Sequence, residues 1–445
     1  MKKGLLTVMS AGLALSVMAG CSTSGGNSGG SADQNTSPAT NAASNTGTSG
    51  GDSGKKVTLN IFQFKVEIAD AMNRLKADYE KEHPNVTLNV ETMGGGADYS
   101  AGLKAKFAAG QEPDIFNNGG NSELTTWIDK LEDLSDQPWA GDIIDSAKGQ
   151  ISRDGKLYGM PVGVEGYGFI YNKDLFAKAG ITTPPKTLTE LEEACKKLEA
   201  AGITPFSDGY QEWWVLGNHL FNVGLANQDD PTAFVNSVNE GKGGLVGNPV
   251  YQNWFKLFDL TLKYSNKNPL TTDYNTQVTL FASGKTAMMQ QGNWTQVQID
   301  GITPDMNIGL LPMPIDDSEK SGNIFVGVPN NWAINKNSKN KDAAKEFLTW
   351  LATSETGKKY IVNEFKFIPA LKSIEVTDSK VLGAIANDIV AYNKEGKSSG
   401  WFFSQMPEGL PQEVGSEMQA YVAKKVDQNQ LMQNIQDKWN SMSKK

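Results

Sequence analysis

From residue 57 onward, the apolar positions alternate between a period of two and a period near 3.6. Val57-Thr58-Leu59-Asn60-Ile61-Phe62 alternates and predicts a strand. Ile68 to Glu82 carries Met72, Leu75 and Tyr79 at helical spacing and stops at His83-Pro84, after which Val86 to Val90 alternates again. That succession is a βαβ unit and implies a parallel sheet. Pro113-Asp114-Ile115-Phe116 reads as a short buried strand ending in the loop Asn117 to Asn121, and loops at such strand ends are where open α/β sheets bind ligands. Leu157 to Tyr171 is apolar and studded with glycine. Beyond it Thr187 and Glu190 have the spacing of a capping box, opening a helix whose apolar face runs from Leu188 to Leu198 and ends at Gly202. Phe325 to Ile334 alternates like a strand before the helix Asp342 to Ala352, and a last helical pattern covers Gly415 to Trp439. Strand and helix alternate throughout, which defines an α/β protein.

The first 56 residues follow another logic. Lys2 and Lys3 precede an uncharged run from Gly4 to Val17, then Met18-Ala19-Gly20-Cys21. A positive start, a short apolar stretch and small residues before a cut make a secretory signal over residues 1–20, too short for a comfortable membrane span. The Ala-Gly-Cys ending resembles a bacterial lipobox, in which Cys21 is lipidated and becomes the mature N-terminus. From Ser22 to Lys56 there is no aromatic, Leu, Ile, Val or Met, so the segment 21–56 is expected to be a disordered tether, with a span on the order of 30 Å.

Net charge of -9 and the absence of any basic stripe argue against a nucleic-acid surface. Cysteine adds little chemistry. With Cys21 lipidated, no disulfide can form, and Cys195 lies on the apolar helical face of Leu191 and Leu198. The two histidines, His83 and His219, have no ligand-spaced partners, so no metal or cofactor is indicated. Gly94-Gly95-Gly96 lacks the pattern of a phosphate loop and reads as a turn. Paired carboxylates for glycoside hydrolysis stay open, because the two members can come from distant loops.

Aromatic residues in turn-rich, polar segments are the distinctive feature. Gln211-Glu212-Trp213-Trp214, Gly292-Asn293-Trp294, Asn330-Asn331-Trp332 and Gly400-Trp401-Phe402-Phe403 all break the core pattern. A sugar offers C–H faces that stack on indole rings and hydroxyls that need carboxylate and amide partners.

Three motifs then make a resemblance. The first is Gly155-Lys156-Leu157-Tyr158-Gly159-Met160-Pro161, continuing through Glu165, Tyr171-Asn172-Lys173-Asp174-Leu175-Phe176 and Pro184-Pro185-Lys186-Thr187. The second is Phe281-Ala282-Ser283-Gly284-Lys285-Thr286-Ala287-Met288 with Gly292-Asn293-Trp294. The third is Val326-Gly327-Val328, Trp332-Ala333-Ile334 and Ser338 to Ala344. In this order they resemble the family 1 extracellular solute-binding proteins, the sugar-binding lipoproteins of bacterial ABC importers.

The resemblance implies a two-lobed, type II periplasmic-binding-protein-like α/β fold with the ligand between the lobes. One lobe takes residues 57–164 plus 303–370, the other 165–302 plus 371–445, and the crossings fall near 163–168, 300–303 and 370–373. Gly163, Gly166 and Gly168 are expected to absorb backbone rotation during closure. Glu165 matches an acidic contact beside the first crossing, Glu212, Trp213 and Trp214 an acidic and aromatic group, and Trp294 a stacking ring. Asn121 stands where the family has a carboxylate; Phe64, Lys65 and Glu67 lie in the first ligand loop; Trp332 and Trp401 are further aromatic candidates. The implied protein is a monomeric, non-enzymatic receptor on the outer face of the cell membrane, with a carbohydrate and ABC permease subunits as partners. Alternatives are another solute (a uronide, polyol or glycerol phosphate), a secreted hydrolase using Glu165 and Glu212, or a surface adhesin.

Overall fold

The computed structural model describes residues 56–443; the signal segment, Cys21 and the tether lie outside them. Strand β1 (Val57–Gln63) pairs in parallel with β2 (Val86–Thr92) along its whole length, Val57 opposite Val86. On its other side it pairs with β3 (Ile115–Asn118). Between β1 and β2, helix α1 (Ala69–Glu82) buries Ala71, Met72, Leu75 and Tyr79. It ends where the pattern predicts, with the Tyr79 ring stacked 4.2 Å from His83. The antiparallel strand Asn331–Ile334 continues this first sheet beside β3, and Met160–Pro161 forms its edge. Helices α2 (Tyr99–Ala108) and α3 (Ser122–Trp127) follow β2 and β3.

A second sheet is built on the long strand Gly163–Asn172. It pairs antiparallel with Thr286–Gly292, Ile308–Leu311 and Ile324–Gly327, and Thr204–Ser207 and Ser398–Ser399 form the edges. The capping box at Thr187 and Glu190 is present and starts the helix Leu188–Ala200, where Cys195 is buried with Leu191 and Leu198. Each sheet has its own apolar core, one around Trp254, Phe258 and Trp439, the other around Leu75, Tyr79 and Phe347. Two lobes follow from that division.

Two crossings fall later than the resemblance implies. Ile308–Leu311 and Ile324–Gly327 both hydrogen-bond to Gly163–Asn172, so residues 303–327 stay with the second lobe and the chain returns at about 328–330. The single strand expected over Phe325 to Ile334 is therefore two strands in different sheets. Likewise Leu371 pairs with Ile143, and Leu371, Ile374 and Leu382 are buried in the first lobe's core, which moves the last crossing from 370–373 to about 383. A segment joins the sheet that can satisfy its backbone groups, and that partner is distant in sequence.

The glycines of the first crossing also act differently from the expectation. None has a positive φ. A Cβ on Gly168 would lie 2.1 Å from the Leu311 carbonyl oxygen, and on Gly163 2.7 Å from the Phe367 side chain. They let neighbouring chains approach rather than supplying unusual dihedrals.

Asp208, just past the strand Thr204–Ser207, is fully buried and its two carboxyl oxygens have no hydrogen-bond partner. Burial pushes this carboxyl up to about 7, with Ser265 and Tyr210 offsetting only part of the shift. The folded state thus holds a proton that the unfolded chain loses near its ordinary value of 3.8, so stability falls as pH rises from about 4 to about 7 and the penalty is constant above. Asp208→Asn keeps the shape without the charge. It is expected to raise the melting temperature at pH 8 and flatten its dependence between pH 4 and 7; an unchanged slope in a pH series of melts would show that another group controls it.

Candidate functional site

The cleft between the lobes starts at the turn after β1. The Gln63 side chain clamps this turn: its Oε1 accepts from the Lys65 amide at 2.6 Å, and its Nε2 donates to the Lys65 carbonyl at 3.0 Å and to Thr92 Oγ1 at 2.6 Å. The Phe64 amide donates to Asn117 Oδ1 at 3.0 Å, which ties the same turn to β3. Lys65 is thereby directed into the cleft, only 5% exposed. Its ammonium lies 2.5 Å from Glu165 Oε1 on the crossing strand and 3.1 Å from Glu67 Oε1. Burial works against that charge, but the two carboxylates outweigh it and hold Lys65 above the ordinary lysine value.

Aromatic rings from the second lobe surround this centre. The Lys65 ammonium stands 5.4 Å from the centroid of Trp294, a cation–π distance. Trp294 donates its indole N–H to Gln291 Oε1 at 2.9 Å, which fixes the plane of the ring. A π-helical stretch, Val215–Leu220, follows Trp214 and brings His219 to the floor, where its ring stacks 4.2 Å from Tyr167 and lies 5.2 Å from Trp294. Burial, reinforced by Lys65, depresses the His219 value to about 3, so the imidazole is neutral at any physiological pH. Its Nδ1, the indole N–H groups of Trp213 and Trp401, and the Tyr274 hydroxyl are buried without a partner. Buried polar atoms are nearly always paired, so four such groups around one space define a place prepared for a polar guest.

That space is a cavity of about 300 Å³, lined by Phe64, Lys65, Glu67, Glu165, Trp213, Trp214, Trp294 and Trp401 among the candidate residues. Three candidates lie elsewhere. Trp332 is 1% exposed in the first lobe's core, stacked 5.9 Å from Phe347, because its place in the strand Asn331–Ile334 turns it toward the helix Lys341–Thr353. Glu212 is buried and not among the lining residues, accepting from the Tyr274 amide at 3.0 Å and the Trp214 indole at 3.2 Å, with its Oε2 close against Gly96 of the first lobe. Asn121 donates 2.9 Å to Ser404 Oγ of the opposite lobe. Tyr99, Glu123, His219, Tyr274, Phe403 and Glu408 also line the cavity and were not singled out as ligand contacts. Phe403 sits in one of the aromatic segments that carry the signal and His219 lies just past another, whereas Tyr99 and Glu408 have no local mark. Among the described residues no cluster of His, Cys, Asp or Glu could hold a metal ion.

An aromatic cleft between two α/β lobes, with a buried ion pair at the crossing strand, is the plan of a receptor that closes on a small solute. The chain belongs to the bacterial extracellular solute-binding protein family, which it matches over residues 65–358. A binding protein of Brucella abortus is 26% identical over 360 residues, covering 76% of this chain and 80% of that one. The multiple sugar-binding protein of Streptococcus mutans is 24% identical over 317 residues, covering 68% and 73%. Among solved structures, the solute-binding protein RafE in complex with raffinose superposes with a TM-score of 0.74 at 21% identity, covering 87% of this chain and 100% of that one.

Proposed function

We propose that this protein is a membrane-tethered receptor that closes around an uncharged carbohydrate and passes it intact to the permease of an ABC importer. The cavity wall carries the reading: flat indole faces for C–H surfaces, with unpaired N–H and O–H groups between them for hydroxyls. The names of the Streptococcus relative and of the raffinose complex support a sugar. Lys65 is the only cation among the residues lining the cavity, and Glu67 and Glu165 already neutralise it. A uronide or glycerol phosphate would add an anion with nothing left to balance it, so a neutral sugar is favoured over those solutes. Closure traps the ligand because both lobes touch it only when shut, and its differential affinity shifts the lobe equilibrium.

A thermal-shift screen against neutral mono- and oligosaccharides, their uronates and glycerol phosphate tests the ligand class. Neutral sugars are expected to raise the melting temperature by mass action and to be recovered uncut; released products would favour a hydrolase, and a response to acids alone would reverse the charge argument. The anchor rests on Cys21, beyond the described residues. Cys21→Ser is expected to release the protein from the membrane or to block its processing, and normal lipidation of that variant would refute the assignment.

A further inference from the structure

Away from the crossings, the lobes meet again at the mouth of the cleft. On the first lobe stand α2 and the start of α3; on the second stands the segment 401–409 that precedes the helix Leu410–Val422. Glu408 Oε1 accepts from Ser100 Oγ at 2.9 Å and lies 2.9 Å from the Lys104 ammonium, both on α2. The Glu408 side chain is 11% exposed, so this pairing is partly screened from water. Beside it Asn121 donates to Ser404 Oγ at 2.9 Å, and Ser404 donates in turn to the Trp401 carbonyl at 2.8 Å. Asn121 holds φ 49° and ψ -111°, outside the left-handed helical region where asparagine is common, and its amide reaches across the gap to Ser404. None of these contacts involves Lys65, Glu165 or an indole ring; Trp401 enters only through its backbone carbonyl.

We propose that Glu408 is a positioning residue for solute capture: with Asn121 and Ser404 it forms a latch that holds the lobes together at the mouth without ligand, and its hold loosens when the neighbouring Glu123 ionises. The Glu408–Ser100, Glu408–Lys104 and Asn121–Ser404 contacts each join groups from both lobes, so they exist only while the lobes touch and contribute only to the closed state. Such contacts raise the closed fraction, and apparent affinity scales with the fraction of protein already competent. A charge-assisted pair at 2.9 Å with limited exposure has the strength to bias that equilibrium.

Glu123 supplies the sensitivity to pH. Its Oε2 accepts from the Gly119 amide at 2.7 Å at the start of α3. Burial pushes its carboxyl up to about 7; the Gly119 bond opposes this, Glu408 adds to it and Lys104 subtracts. The groups facing it are Tyr99 and Lys104 from α2 and Glu408 from the second lobe, while Arg153 engages Thr125 on the same helix at 2.7 Å. Closed lobes therefore favour the protonated form, and by linkage rising pH through about 7 favours opening, where both carboxylates regain water.

Small-angle scattering of the ligand-free full chain tests this without knowledge of the sugar, so its outcome is independent of the proposed function. Measurements at about pH 6 and about pH 8.5 bracket the Glu123 transition. The unmodified protein is expected to show a larger radius of gyration at the higher pH, Glu123→Gln to stay compact at both, and Glu408→Ala to be expanded at both. Circular dichroism and melting curves establish that each variant is folded. Lys104→Gln, at an exposed position, replaces Glu408→Ala if the latter fails to fold and is expected to expand the protein in the same direction. A Glu408→Ala or Lys104→Gln protein as compact as its parent at both values, or a pH step that persists in Glu123→Gln, overturns the latch.

Discussion

Lys65→Met is expected to abolish detectable sugar binding and to destabilise the protein by about 3–5 kcal/mol at pH 7, the usual cost of leaving buried carboxylates without their cation. Glu165 Oε1 and Glu67 Oε1 share this one ammonium at 2.5 and 3.1 Å, in a site where both carboxylate side chains are under 10% exposed. Without Lys65, one of the two must bind a proton to remain buried. The sign of the pH dependence follows: the folded variant takes up a proton that the unfolded chain does not hold at neutral pH, so its deficit relative to the parent should shrink as pH is lowered from 7 toward 5. Removing the second charge as well separates structure from recognition. Lys65→Met with Glu165→Gln should recover much of the lost melting temperature, because a neutral amide tolerates burial better than an orphaned carboxylate, while sugar binding stays lost. A single variant within about 1 kcal/mol of its parent would show that the triad does not hold the cleft together.

How far the sequence led depends on whether the information was local. The βαβ opening is legible because Met72, Leu75 and Tyr79 share a helical face and Pro84 stops it; the helix at Leu188 is legible because its capping box is a pattern within four residues. Glu165 is legible from its motif and Lys65 and Glu67 from their place in the loop after the opening strand, and the structure adds that the three are one ion-paired centre. Long-range pairing was not legible. Ile308–Leu311 and Ile324–Gly327 could each have gone to either sheet, and what assigns them is the row of free backbone groups along Gly163–Asn172. Trp332 illustrates the limit for side chains: successive strand residues face opposite ways, and the polar neighbours that suggested a ligand contact, Asn330 and Asn331, say nothing about which face the indole takes. Glu212 enters through the resemblance as a ligand contact; its bond to the Trp214 indole two residues on is local, but the Tyr274 amide that also occupies it comes near only through the fold. The latch residues are similarly silent, because Glu408 stands about 300 positions after Ser100 and Lys104 along the chain.

Trp294→Ala is the sharpest test of the aromatic wall, because stacking and packing make separable demands on this ring. The residue is 5% exposed, lines the cavity and touches the second lobe's core, so its loss must affect stability and binding together. Truncating a buried indole typically costs about 3–5 kcal/mol of stability. Losing a central aromatic anchor typically costs about 2–4 kcal/mol of binding, roughly a thirtyfold to thousandfold weaker affinity. Trp294→Phe resolves the two. It keeps a flat face and most of the volume but forfeits the bond to Gln291 that sets the plane of the ring, so it should recover most of the melting temperature and only part of the affinity. Calorimetry with whichever neutral sugar gives the largest thermal shift reads the second quantity, and melting reads the first. If both substitutions lowered the melting temperature while leaving affinity at the parental value, the indole would be core packing alone, and the sugar would have to be held by Trp213, Trp214 and Trp401.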